Sequence, residues 1–370
     1  MEQKINPALE FDKYIDLKPQ DFINDAEQHI KQGNEAKENK KSIEVGFFNC
    51  RTANDCINDA KLQPIPKKLY YDLIIENELT ILVADTGIGK SIYAVQIAQE
   101  ISKTQKVLYL DLELSDKQFQ GRYSDNYENE FKFNENFYRC VFKRRFEIPI
   151  GTSYEEYFIN SIKELIEVTG AKIIVIDNMT RLLITDSDQA RNAKPLMDSL
   201  NDLKFDYDLT MLLLEHTKKV DPSRPIHLND LQGSKMKANF SDAIFTIGRS
   251  AKDKNIRYIK QLKTRSAETI FDSENVLVYQ IGKENSFLKL NFIAFGNEYE
   301  HLKQPSENDK ASLIENVKGL SKQGKTQRDI SKELGISLGA VNKYLKLQSV
   351  HAVQDVHTVN TMNTLNTKIE

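Results

Sequence analysis

The stretch from Leu79 to Ser91 constrains this chain more than any other. It reads Leu-Thr-Ile-Leu-Val and then Ala-Asp-Thr-Gly-Ile-Gly-Lys-Ser. An apolar run of strand length feeds a glycine-bearing turn, which opens a helix with a lysine and a serine. Gly87 and Gly89 let the backbone turn its N–H groups inward on an anion, Lys90 adds a cation near the outer phosphates of a nucleotide, and the Ser91 hydroxyl suits a magnesium ion. The predicted nucleotide-binding loop therefore comprises Ala84, Asp85, Thr86, Gly87, Ile88, Gly89, Lys90 and Ser91, with ATP and Mg2+ as its ligands. Ala84 stands where the usual pattern has its first glycine, and alanine is small enough there to keep ordinary strand angles.

Strand and helix patterns go on alternating after this loop. Helical spacing covers Ser91 to Lys103, Tyr154 to Val168 and Ala193 to Phe205, while buried strands are predicted at Lys106–Asp111, Ala171–Asp177 and Leu209–Leu214. Further strands are expected at Ala243–Ile247, Arg257–Lys263, Val276–Ile281 and Leu288–Phe292. The order predicts an α/β core with a mainly parallel sheet and a β-rich closure. At 370 residues the chain exceeds one average domain, so an appended module is expected. Residues 1–63 read as a polar helical and linker region, 64–303 as the nucleotide-binding domain, 306–348 as a small all-α module and 349–370 as a frayed tail.

Lys and Arg number 51 against 54 Asp and Glu, a net charge of −3, so attraction to nucleic acid has to be local. Cys50, Cys56 and Cys140 are too few and too irregularly spaced for a disulfide framework or a zinc site, which suits a reducing cytosol. The first residues lack the pattern of a signal peptide, and no apolar stretch is long enough to span a bilayer. A cytoplasmic protein without a membrane partner is expected.

The later strand ends carry the chemistry. Lys-Ile-Ile-Val-Ile-Asp at 172–177 is an apolar strand ending in a carboxylate that can hold magnesium opposite Ser91. Asp111 and Glu113 follow the second strand at a spacing of two, and alternation does not choose which of them polarises an attacking water. His216 ends the fourth strand, where an imidazole can hydrogen-bond a γ-phosphate.

These ordered motifs, the phosphate loop, Leu-Glu-Leu-Ser, Val-Ile-Asp and Leu-Glu-His-Thr, resemble the RecA-type motor domain of the DnaB- and RepA-like hexameric helicases over roughly residues 64–295. The resemblance implies that Glu113 is the catalytic base and that His216 couples the phosphate state to the loop after it. Lys263 and Arg265 resemble the pair that reaches a neighbouring subunit's γ-phosphate, which implies a homo-oligomer such as a hexameric ring. Residues 232–237 fall at the position of a family loop that faces nucleic acid, which makes Lys235 and Lys237 candidate contacts to single-stranded DNA.

Past residue 306 three short helices are predicted, at Ser312–Lys322, Thr326–Leu334 and Leu338–Leu347. They look like a helix-turn-helix. Ile330, Leu334, Ile336, Val341 and Leu345 can form its core, and Thr326 and Ser337 can cap helices. Eight basic against five acidic residues between Ser306 and Leu347 favour duplex DNA as partner. Ser337, Leu338, Gly339 and Asn342 would face bases, and Lys343 and Lys346 phosphates. The sequence thus predicts an ATP-driven DNA-processing motor, such as a helicase or replication protein of a plasmid or mobile element. The same motifs also allow a DNA-binding regulator in which ATP only switches assembly.

Overall fold

A computed structural model describes residues 42–182, 189–231, 235–304 and 307–347. The chain divides into two compact units, Met1–Ile65 and Pro66–Glu370. In the first, strands β1 (Ile43–Val45) and β2 (Phe48–Cys50) pair antiparallel and are followed by helix α1 (Ala53–Lys61), capped by Thr52. Only helices and linker are expected here from the sequence. The hairpin forms because Gly46, at φ 55°, supplies the left-handed turn between two short strands of alternating apolar and polar residues.

The second unit opens with the small ribbon β3 (Lys68–Tyr70) and β4 (Ile74–Ile75). The core follows: β5 (Leu79–Ala84), α2 (Lys90–Ser102), β6 (Val107–Asp111), α3 (Asp116–Arg122), the ribbon β7 (Ser124–Asp125) and β8 (Asn129–Glu130), β9 (Phe137–Cys140), α4 (Tyr154–Thr169), β10 (Ile173–Asp177), α5 (Gln189–Tyr207), β11 (Thr210–His216), α6 (Lys235–Phe240), β12 (Ala243–Arg249), β13 (Ile256–Thr264), β14 (Val276–Glu284) and β15 (Phe287–Gly296). One nine-stranded sheet runs β15-β14-β13-β12-β5-β11-β10-β6-β9. The six strands from β12 to β9 are parallel, and β13, β14 and β15 return antiparallel. The mainly parallel α/β expectation holds, with β9 as an added edge strand.

Alternation along the strands explains the layering. Leu82, Ala84, Val107, Tyr109, Val175, Leu212 and Leu214 pack on one face with Tyr93 and Ile97 of α2. Ile81, Val83, Leu108, Leu110, Ile174, Ile176, Met211 and Leu213 pack on the other with Ile162 of α4 and Leu200 of α5. Because both faces are covered, the strands read as continuous apolar runs, and what distinguishes them is their polar ends. Parallel register brings Ala84, Asp111, Asp177 and His216 to one sheet edge.

Helices α7 (Glu307–Lys322), α8 (Gln327–Leu334) and α9 (Leu338–Lys346) close around Val317, Ile330 and Val341, with Leu334, Ile336 and Leu345 packed against them. Thr326 accepts from the Asp329 N–H, Ser337 from that of Ala340, and Gly335 at φ 63° ends α8. No described helix is long and apolar enough to cross a membrane. The tail from residue 349 and the run Lys31–Lys41 lie outside the described residues.

Candidate active site

The loop between β5 and α2 turns through Gly87 (φ 72°) and Gly89 (φ 111°), conformations that L side chains rarely adopt. Lys90 opens α2 with its side chain almost fully buried and donates to the Ala84 carbonyl at 3.3 Å. Its ammonium lies 3.0 Å from Nδ1 of His216, and Thr86 Oγ1 lies 3.4 Å from the same nitrogen. Burial pushes the Lys90 pKa down, while the carboxylates of Asp177, Glu113, Glu215 and Asp85 oppose that shift.

Asp177 ends β10 at 1% exposure. Its Oδ2 accepts from the Tyr109 hydroxyl at 2.7 Å, and the Ser91 side chain stands near enough to favour its charged form. Oδ1 is buried without a partner among the described residues. A buried carboxylate oxygen left unpaired beside a serine hydroxyl fits a hydrated magnesium ion. Burial raises the Asp177 pKa to about 6, against the lowering effect of the Ser91 and Tyr109 hydroxyls.

The two acids that spacing could not separate differ in their surroundings. Asp111 is 2% exposed and fully engaged. Its Oδ1 accepts from the backbone N–H groups of Glu113 and Leu114 at 3.2 and 2.9 Å, and its Oδ2 pairs with Arg139 at 2.8 Å. Arg139 also holds Asp116 and the Leu114 carbonyl. Asp111 is thus the anchor of this turn. Glu113 stands past the strand end, exposed, with one carboxylate oxygen accepting from Asn178 Nδ2. Asn178 Nδ2 also lies 3.4 Å from His216 Nε2, so Glu113, Asn178, His216 and Lys90 stand in one row of neighbouring polar groups, whose hydrogen bonds are those of Asn178 to Glu113 and of Lys90 to His216.

Other expected residues sit elsewhere. Because β13 runs antiparallel, Lys263 and Arg265 emerge at the sheet edge opposite the phosphate loop, beside Asp242. Lys263 Nζ donates to the Ala238 and Ser241 carbonyls at 2.5 Å each, and Arg265 pairs with Asp242 at 3.3 Å and donates to the Asn239 carbonyl.

Lys237 corrects the sequence reading more sharply. It lies on α6 rather than in a loop, is 3% exposed and forms a buried ion pair with Glu215. A buried, paired ammonium is not available to a DNA phosphate. Residues 232–234 and the Lys235 side chain lie outside the described residues. In α9, Leu338 is exposed, and Gly339, Asn342, Lys343 and Lys346 line one shallow surface hollow.

Sequence reasoning missed Asn178, Arg139, Tyr109, Arg249 and Arg257. Asn178 follows the strand-ending acid directly, and an arginine inside the apolar run at 256–262 was a visible irregularity. Arg139 carried no signal, since its partners are 23 to 28 residues away.

A strand, a glycine turn and a buried lysine at the edge of a mainly parallel sheet ordered β12-β5-β11-β10-β6 form an α/β fold with a phosphate-binding loop. Residues 50–222 match a family model described as an AAA domain. Among solved structures, the chain is similar to a KaiC-like protein from Pyrococcus horikoshii OT3, at 15% identity and TM-score 0.43, over 60% of this chain and 94% of that one. It is similar to a second solved ATPase domain at 15% identity and TM-score 0.44, over 58% of this chain and 85% of that one. A DnaB-like replicative helicase matches at 14% identity and TM-score 0.48, over 73% and 76%. No curated protein matches the sequence.

Proposed function

We propose that the chain is an ATP-hydrolysing, DNA-processing motor. One observation carries the reading. Lys90, Glu113, Asp177 and His216, brought from four separate stretches of sequence, stand together at one sheet edge, and three of them lie in one row with Asn178. In this reading the N–H groups of residues 85–91 and the Lys90 ammonium bind the nucleotide's phosphates, displacing Lys90 from His216. Ser91 and Asp177 would hold Mg2+, which would supply neutralising charge for the phosphates. Glu113 orients and deprotonates the attacking water, since Asp111 has no free oxygen with which to do so. His216 reports on the γ-phosphate.

Lys263 and Arg265 would complete the site of a neighbouring copy, with a ring of copies as the assembly. The caps, core and basic balance of α7–α9 support reading them as a helix-turn-helix that would place the motor on duplex DNA, such as a replication origin. The test is ATP turnover by the full chain with and without single-stranded DNA, beside Glu113→Gln. DNA-stimulated turnover that the substitution abolishes supports the motor. Tight ATP binding with no DNA-stimulated turnover overturns it and leaves an ATP-switched DNA-binding regulator.

A further inference from the structure

Among the described residues, two arginines behind the phosphate loop have no acidic partner. Arg249 ends β12 and Arg257 lies near the start of β13, and the antiparallel register sets them directly opposite each other. Like charges facing across paired strands repel, and a buried guanidinium is costly unless a counter-charge offsets it. Arg257 is 5% exposed, yet its partners are backbone carbonyls. Its Nε donates to Ile88 at 2.6 Å, and its Nη1 donates to Lys254 and Ile256 at 2.7 and 2.9 Å. Arg249, which is exposed, places Nη2 3.5 Å from the Gly87 carbonyl. Among the described residues neither forms an ion pair. Burial and the neighbouring Arg249 both push the Arg257 pKa below its ordinary value.

The contacts fall on the loop in a particular way. In a trans peptide the carbonyl and the following N–H point in opposite directions from one plane. Gripping the Ile88 carbonyl from behind therefore aims the Gly89 N–H forward, and a contact at the Gly87 carbonyl does the same for the Ile88 N–H. We infer that Arg249 and Arg257 act as a charged backing for the phosphate loop, Arg257 as a positioning residue for its N–H groups, and that a bound nucleoside polyphosphate is the anion that offsets their charge. The inference rests on the nucleotide reading above and adds a dependence on phosphate number.

The test is titration of the full chain with ATP, ADP and AMP in the presence of Mg2+, for the wild type, Arg249→Gln, Arg257→Gln, Arg257→Lys and Lys90→Ala. Each glutamine variant is expected to weaken ATP about tenfold, ADP about threefold and AMP hardly at all, since a lost charge matters more to a more highly charged ligand. Arg257→Lys, which keeps the charge, should lose less than Arg257→Gln. Equal losses for the three nucleotides would show a merely structural role and overturn the inference. If Arg257→Gln does not fold, Arg249→Gln on the surface decides the same question. A folded wild type that binds no ATP overturns both this inference and the nucleotide reading. ATP binding that is lost in Lys90→Ala but unchanged in both glutamine variants overturns this inference alone.

Discussion

Lys90 donates a hydrogen bond to Nδ1 of His216 across 3.0 Å. An ammonium has no lone pair to offer, so Nδ1 must be the acceptor and the ring proton of the neutral imidazole resides on Nε2. Burial and the Lys90 charge both lower the His216 pKa, which keeps that form dominant at neutral pH. Nitrogen NMR of histidine-labelled protein without nucleotide should show the Nε2–H tautomer at pH 7, and Lys90→Met should raise the His216 pKa. An Nδ1–H tautomer would contradict the arrangement.

Asp177 gives a pH dependence with a definite sign. Its pKa is raised from 3.8 to about 6 in the folded chain. Between those values the folded chain holds a proton that the unfolded chain lacks, so the group's stabilisation is complete below pH 3.8 and is lost as pH rises through 6. The shift corresponds to a deficit of about 3 kcal/mol at neutral pH. Asp177→Asn should therefore raise the stability of the nucleotide-free chain in urea at pH 8 by roughly 1 to 3 kcal/mol, with the gain fading near pH 4. It should also abolish any stabilisation by Mg2+ with ATP.

The neighbouring acids should separate cleanly on mutation. Glu113→Gln is expected to bind ATP as the wild type does and to lose at least about a hundredfold in turnover. Asp111→Asn removes the buried one of Arg139's two counter-charges and should cost roughly 2 to 4 kcal/mol of stability. Denaturation curves beside turnover rates would check both, and an unstable Glu113→Gln would reverse the assignment.

Breaking the buried pair of Glu215 and Lys237 leaves one charge uncompensated. Lys237→Met should destabilise by roughly 3 to 5 kcal/mol, and the double change with Glu215→Leu should recover most of that loss. Should the chain bind DNA as proposed, Lys237→Met should leave the salt dependence of that binding unchanged, because the ammonium does not reach solvent.

Duplex binding, if it lies in α9, should respond to its basic residues. Replacing Lys343 and Lys346 with alanine is expected to weaken affinity for all sequences and to lower the slope of log affinity against log salt by about two. Asn342→Ala should instead relax discrimination between sites, as compared by band-shift titrations.

The parts of this molecule that could be read from its sequence are those set by local pattern. The strand at Leu79–Ala84, the turn after it and the acid ending Ile173–Asp177 announce themselves because a buried parallel strand is a continuous apolar run and its polar end stands out. Caps at Thr326 and Ser337 were legible for the same reason. The edge strand Phe137–Cys140 was not, since an edge needs only half its surface apolar and shows little contrast. Nor could spacing rank Asp111 against Glu113, because the difference lies in Arg139, which tertiary folding brings from another strand. Lys237 misled for the opposite reason: a lysine in a polar stretch reads as surface until Glu215 is seen opposite it.

The reversal of direction at β13 has a kinetic consequence. The strand carries Arg257 beside the phosphate loop and Lys263 at the far edge, so one molecule cannot bring Lys263 or Arg265 to the phosphates bound at its own loop. Any step in which those two cations meet a nucleotide is an encounter between copies. Its rate per molecule climbs with protein concentration until every copy has a neighbour, and dilution alone is enough to switch it off.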